Sequence, residues 1–180
     1  MKLILFSNPL WSIYNFRSGL IKFFLKKGFK VEILAPRDKY YSKVKKLGCK
    51  ILTIDKLDRS KNPIEFIILF LKLFKIFKKR KPNAILSFTI KPNIFSGLIC
   101  RILKIPNISM ITGLGYVFTF NIFLSKVLLF IYKLALNKTS FVFFQNNDDY
   151  KFFKKNKIIK KNYMIVPGSG VNIKKFTKIR

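Results

Sequence analysis

Short apolar runs alternate with stretches of helical period along almost the whole chain. Lys2–Phe6, Lys30–Ala35, Lys50–Ile54, Ala84–Phe88, Asn107–Thr112, Ser140–Gln145 and Tyr163–Val166 are each a short run of mainly apolar residues. Between them the period changes. Phe16, Leu20, Phe23 and Phe24 recur at helical spacing in NFRSGLIKFFLKKG, with Gly28 placed to end the helix. A basic helix is expected over about Lys39–Leu47, ending at Gly48. A long helix follows over about Pro63–Lys81, with proline suited to its first turn. Further helices are expected over about Asn93–Leu103, Ile122–Leu136 and Asp148–Lys155.

Strands that are short, continuous and apolar are buried on both faces, as in parallel sheets covered by helices. Strand–helix alternation builds successive right-handed crossovers. The predicted fold class is therefore α/β: a doubly wound, Rossmann-like, mostly parallel sheet of about seven strands. Such sheets bind ligands beyond the carboxyl ends of their strands, near the point where the strand order reverses. That rule directs attention to the segments SNPLWSIYN, PRDKY, DKLDRSKN, TIKPN, GLGYVF, NNDD and PGSG. No GxGxxG follows the first strand and no GxxxxGK[ST] occurs, so the dinucleotide fingerprint and the P-loop are both absent.

Composition narrows the chemistry. The 180 residues suit one domain, and half of them are hydrophobic, enough for a substantial core. Lys plus Arg number 37 against 7 Asp plus Glu, a formal charge of +30. Such a chain is drawn to polyanions: nucleic acid, anionic lipid or phosphorylated substrates. Only six of the basic residues are Arg, whereas readers of nucleic acid favour its fork geometry. The chain contains no His, which excludes His-based triads, His metal ligands and a His general base within it. Two cysteines far apart form neither a disulfide framework nor a metal-ligand spacing. No signal peptide precedes the first strand, so a cytoplasmic location is expected. Residues 105–125 carry no charge over a length that could span a membrane. Pro106, Asn107, Gly113, Gly115 and Asn121 interrupt them, which favours a strand, a loop and a helix start.

Four loops and one helix hold the candidate residues. Asn15 and Arg17 are placed at the opening of the first helix, where free N–H groups and a guanidinium could meet an anion; equally, Asn15 could be the N-cap and Arg17 a solvated group. Thr89, Lys91 and Asn93 follow the fourth strand over the binding edge of the sheet, or else form a capped loop with a solvated lysine. Gly113 and Gly115 allow close backbone approach to a ligand, and Tyr116 could contact a sugar, against an ordinary glycine turn with Tyr116 in the core. Asn146 or Asn147 would end the sixth strand, and Asp148 or Asp149 would sit at the start of the next helix, where a carboxylate suits the dipole as a cap. The long helix is apolar around much of its girth, with Phe66, Phe70, Phe74 and Phe77 on one stripe and Lys72, Lys75 and Lys79 on another side. It could be buried, covered by another domain, or half in a lipid interface with lysines on anionic headgroups.

In this order the motifs resemble the N-terminal half of the family 4 glycosyltransferases with the GT-B fold. The nearest likeness is to the bacterial subgroup that adds sugars to undecaprenyl-diphosphate-linked glycans, N-acetylgalactosaminyltransferases among them. YNFRSGLIKFFLKKGFKVEILAP, SFTIKPNIFSG, ITGLGYVF, FFQNNDDYKFF and VPGSGVNIKKF carry the resemblance, which spans essentially the whole chain. It implies that residues 1–166 form an acceptor-binding domain and 167–180 the linker and the start of a donor-binding C-terminal domain. By that resemblance Asn15, Arg17, Thr89, Lys91 and Asn93 would face the acceptor, Gly113, Gly115 and Tyr116 would approach the reacting sugars, and Gly168, Ser169 and Gly170 would form the hinge.

The implied reaction is retaining transfer from a nucleotide sugar, a UDP-sugar, without a metal or cofactor. The implied partners are a polyprenyl-diphosphate-linked acceptor, the anionic cytoplasmic face of the inner membrane and a C-terminal donor domain, with no specific nucleic acid. Two departures stand out: SNPLWSIYN lacks the glycine pair many relatives carry, and Asn172 replaces the subgroup's usual aspartate. The family's paired glutamates belong to the C-terminal domain, so no catalytic residue is assigned and the chain is not expected to catalyse alone. The alternative is a non-catalytic, basic membrane-surface or polyanion-binding domain.

Overall fold

The computed structural model describes residues 1–54, 63–114, 122–159 and 162–170. Seven strands form one parallel sheet: β1 (Lys2–Phe6), β2 (Lys30–Pro36), β3 (Lys50–Ile54), β4 (Ala84–Phe88), β5 (Asn107–Ile111), β6 (Phe141–Phe144) and β7 (Tyr163–Ile165). Their order is β3-β2-β1-β4-β5-β6-β7. The chain therefore winds outward from β1 to β3, crosses back, and winds outward the other way from β4 to β7. The reversal lies between β1 and β4, which pair from Leu3 opposite Ala84 to Phe6 opposite Ser87.

Both faces of β1 are covered, which is why its sequence is apolar throughout rather than alternating. Leu3 and Leu5 join Leu10, Ile13, Ile21, Ile33 and Val44 in one cluster. These come from α1 (Leu10–Ser12), a π-helical turn (Ile13–Arg17), α2 (Ser18–Lys26) and α3 (Tyr41–Lys45) as well as β2. Ile4 and Phe6 point the other way, to Leu73 and Phe77 of α4 (Pro63–Arg80) and Phe95 and Ile99 of α5 (Ile90–Leu103). The core continues under α6 (Ile122–Leu136) and α7 (Asn147–Lys155), where Tyr132, Phe144 and Phe153 meet edge to face. Cys49 and Cys100 are buried in these clusters; burial pushes their thiols up to about 11 and about 12 and leaves them unreactive at neutral pH.

Two helices begin earlier than their periodicity indicated. The first starts at Leu10, immediately after Pro9, and passes through the π-helical turn before Ser18. Asn15 and Arg17 therefore lie inside a helical segment, and Asn15 is not its N-cap. Proline suits a helix start because it gives up an N–H that has no partner there. Likewise α5 starts at Ile90 with Thr89 at its N-cap, so Asn93 lies within the first turns and is not the cap. Pro92 fits because the first turn needs no N–H from it. The cap of α7 is Asn146 rather than Asp148 or Asp149, which lie in its first turn: the Asn146 side-chain oxygen accepts from the Asp149 N–H at 2.7 Å.

The long helix α4 is buried on one side only. Leu73 and Phe77 are fully enclosed, whereas Ile64, Ile67, Ile68 and Leu71 remain about half to two-thirds exposed. Arg80, its last residue, ties it to β2 by donating to the buried Glu32, with Nε 2.8 Å from Oε2. This pairing gives the one buried glutamate of β2 its counter-charge, without which its burial would be costly.

Helices α5 and α6 approach so closely that a Cβ at Gly97 would lie 2.3 Å from the Ala135 carbonyl oxygen. Backbone cannot yield as a flexible side chain would. Gly97→Ala is expected to cost about 2 kcal/mol or more by overpacking, a fall in Tm of roughly 4–8 °C for a chain of this size. Thermal unfolding followed by circular dichroism checks it; an unchanged Tm would mean the helices separate freely.

Candidate functional site

An open cleft of about 560 Å³ lies at the carboxyl ends of the strands, where the sheet order reverses. Five strand ends contribute to it. Asn8 and Pro9 follow β1, and Trp11, Ser12, Phe16 and Arg17 come from the helical segment that they introduce. Phe88 ends β4, and Thr89, Thr112 and Gln145 are the first residues after β4, β5 and β6. Pro167, Gly168, Ser169 and Gly170, after β7, form the outer wall.

Arg17 is the cation of this cleft. Its residue is only 6% exposed, and its guanidinium lies over the Phe88 ring at 4.5 Å. Nη1 donates to the Phe16 carbonyl at 3.3 Å and Nη2 approaches the Met110 sulfur at 3.2 Å. Among the described residues no carboxylate pairs with it. Burial lowers its pKa from the ordinary arginine range to about 10, which still leaves it charged at neutral pH.

Thr89 carries strain. Its backbone sits at φ 74 and ψ 169, a conformation that β-branched residues rarely adopt. The fold holds it there because the chain must turn from β4 directly into α5. The Asn93 N–H returns to the Thr89 carbonyl at 3.0 Å, fixing that turn. Gln145 is held across the cleft: its amide Nε2 donates to Ser169 Oγ and approaches the Met110 sulfur at 3.6 Å. Gln145 thereby fastens the outer wall to the floor of the site. Gly168 and Gly170 supply that wall's positive φ values, 71° and 67°.

The residues singled out from the sequence separate into three groups. Arg17, Thr89, Gly168, Ser169 and Gly170 wall the cleft together. Asn15, Lys91 and Asn93 do not: the Asn15 amide donates to the Trp11 carbonyl at 3.0 Å, Lys91 is half-buried in the first turn of α5, and Asn93 is fully buried, donating to the Met110 carbonyl at 2.9 Å. Asn93 thus ties α5 to β5. Gly113 follows β5 at φ 139 with open space around it, while Gly115 and Tyr116 lie outside the described residues. Sequence reasoning missed Trp11, Phe16, Phe88, Thr112 and Gln145. Position alone could have found Thr112 and Gln145, since each directly follows a strand.

Chemically, the described wall offers one buried cation, hydroxyls, amides and aromatic rings, and no carboxylate. It can bind and orient a polar or anionic ligand; a general base is not among these residues.

The glycosyl transferase 4-like family matches residues 2–146. Over 173 residues the chain is 28% identical to the N,N'-diacetylbacillosaminyl-diphospho-undecaprenol alpha-1,3-N-acetylgalactosaminyltransferase of Campylobacter jejuni, covering 93% of this chain and 46% of that protein. A glycosyltransferase structure from Rickettsia africae superposes with a TM-score of 0.68 at 14% identity, covering 91% of this chain and 42% of that one. Acinetobacter baumannii MurG superposes with a TM-score of 0.64 at 14% identity, covering 96% and 46%. At such identity the structural likenesses establish the fold alone: the N-terminal, Rossmann-like half of a GT-B glycosyltransferase. The chain spans about half the length of the relatives it matches. It belongs to the glycosyl transferase 4-like family.

The strain at Thr89 has a measurable consequence. Thr89→Gly should stabilise the domain by about 1 kcal/mol net of glycine's extra unfolded-state entropy, raising Tm by roughly 2–4 °C. Thr89→Val, which keeps the branching and removes the hydroxyl, should leave Tm nearly unchanged. A lower Tm for the glycine variant would show that the turn is not strained.

Proposed function

We propose that this member of the glycosyl transferase 4-like family is the acceptor-side half of a retaining transferase. The complete enzyme would move a sugar from a nucleotide sugar, a UDP-sugar, to a polyprenyl-diphosphate-linked glycan. The observation that carries this reading is the cleft at the reversal of the sheet. It is bounded by the Pro167–Gly170 segment after the last strand and holds a cation but no described carboxylate. Half of a two-domain site has this character: one side positions the acceptor, and charge on the leaving diphosphate must be met by the other. The Campylobacter jejuni relative is named for an undecaprenol-linked diphosphate substrate, which favours a lipid-linked acceptor here. In this reading residues 1–166 are the acceptor domain and 167–170 begin the hinge.

The reading is tested by supplying a donor-side half. The chain is fused after Gly170 to the C-terminal half of the Campylobacter jejuni relative and assayed with UDP-N-acetylgalactosamine and a polyprenyl-diphosphate-linked sugar. Transfer is expected from the fusion and not from the 180-residue chain by itself. A folded fusion that binds donor yet transfers to no lipid-linked acceptor would count against the reading.

Such an acceptor is presented at a membrane, and α4 suits that surface. Ile64, Ile67, Ile68 and Leu71 are exposed on the helix, and Lys72, Lys75, Lys78 and Lys79 are exposed toward its C-terminal end. An apolar stripe that grades into lysines fits the boundary of an anionic bilayer, where the peripheral cytoplasmic face of the inner membrane is the expected location. Among the described residues no helix is long and apolar enough to cross a membrane.

The same features and the +30 charge also fit a purely binding domain for polyanions. Flotation with phosphatidylglycerol vesicles, with and without competing single-stranded DNA, separates the two. Vesicle binding should survive the competitor and fall about tenfold or more in Ile67→Glu/Leu71→Glu, since burying a charge removes the apolar gain. Equal loss to DNA would favour the polyanion reading.

A further inference from the structure

We infer that Arg17 is a built oxyanion site, and that the cleft takes a diphosphate ester whose phosphate pairs with the Arg17 guanidinium. The inference rests on the acceptor-half reading only for the source of the diphosphate, not for its binding. Three observations carry it.

Arg17 is buried without a described carboxylate partner, whereas the two buried carboxylates are satisfied: Glu32 by Arg80, and Asp149 by the Asn146 side-chain amide. A guanidinium has five N–H donors in a fixed fork. Here two nitrogens make polar contacts among the described residues, one to a carbonyl at 3.3 Å and one to a sulfur, a weak acceptor. Desolvating a charge and leaving most of its donors without oxygen is costly, so such a group is retained where a ligand completes it. The fork geometry suits phosphate in particular.

Other donors face the same space. Thr89 and Thr112 line the cleft, and their hydroxyls make no hydrogen bond among the described residues. Thr89 is kept there in a rare backbone conformation. A phosphate bound on Arg17 could accept from such hydroxyls, which a carboxylate partner supplied by the protein would have engaged already.

Finally, the floor is arranged around the cation. The Phe88 ring supports its plane, and the Met110 sulfur separates it from the Gln145 amide. This fixes the guanidinium before a ligand arrives, so little ordering accompanies binding. The surface lysines cannot provide this selectivity, because exposed charges are hydrated and screened by salt.

The chain has a single tryptophan, Trp11, and it lies in the cleft wall, 43% exposed. Its emission therefore reports on this site. The 180-residue chain is titrated at physiological salt with inorganic pyrophosphate, geranyl diphosphate, UDP and free N-acetylglucosamine. Pyrophosphate and at least one ester should shift the emission saturably, and the uncharged sugar should not compete. Arg17→Met should weaken diphosphate binding about tenfold or more, as expected for loss of charge-assisted bonds.

The same variant should keep or raise Tm, because an unpaired buried charge is replaced by an apolar side chain of similar length. Arg17→Lys keeps the charge and loses the fork; weaker binding in it supports the site even if the methionine variant does not fold. Unchanged diphosphate affinity in a folded Arg17→Met or in Arg17→Lys overturns the inference. So does equal binding of the uncharged sugar. Tighter geranyl diphosphate binding assigns the anion to a lipid-linked acceptor. Tighter UDP binding supports the Arg17 site while overturning the acceptor-side assignment, so the two ideas fail separately.

Discussion

β1 borders both halves of the sheet, pairing with β2 through Lys2–Phe6 and with β4 through Leu3–Phe6. Its alternate side chains enter two separate clusters, Leu3 and Leu5 on one face and Ile4 and Phe6 on the other. A central parallel strand cannot be solvated on either face, so helices must lie on both. Right-handed crossovers then force the chain to leave β1 in one direction and return on its other side. The reversal opens a gap between the segments leaving β1 and β4, and the cleft extends from it over the ends of β5, β6 and β7.

Within that gap the molecule departs from what stability alone would favour. Thr89 occupies a backbone region usually left to glycine, and Arg17 is buried among Phe88, Phe16 and Met110 with no described counter-charge. Elsewhere positive φ recurs at Lys81, Lys104, Lys157 and Asn162, but the buried charges are satisfied: Glu32 is paired with Arg80 and Asp149 is hydrogen-bonded to Asn146. Arg17 is the buried charge left without such a partner among the described residues.

Charge works at two levels. The exposed lysines give a long-range attraction to anionic surfaces, which salt weakens. Arg17 is a short-range group, shielded from solvent and fixed by its ring and sulfur neighbours. In the proposed function, attraction to a membrane and selection of a ligand would be separable, with the exposed isoleucines and lysines of α4 serving the first and the cleft the second.

The sequence by itself determined the elements, their alternation and the parallel sheet, because burial on two faces leaves a continuous apolar run; β7 departs from this, since Tyr163, Met164 and Ile165 at the sheet edge are 40%, 52% and 41% exposed although their run reads as buried. Helix starts were less legible: Pro9 and Pro92 read as loop residues, although the first turn of a helix accepts proline. Arg17 was marked from the sequence as a group at a helix N-terminus, yet its importance comes from burial inside a π-helical turn. Asn93 was marked as facing the acceptor or as a cap, and the structure makes it a buried tie between α5 and β5. Gly97 drew no notice, since its role depends on a helix about forty residues further along the chain. Only the tertiary structure decided which residues meet at the cleft. Its walls come from five strand ends, and local periodicity carries no information about which distant strand ends the sheet order brings together.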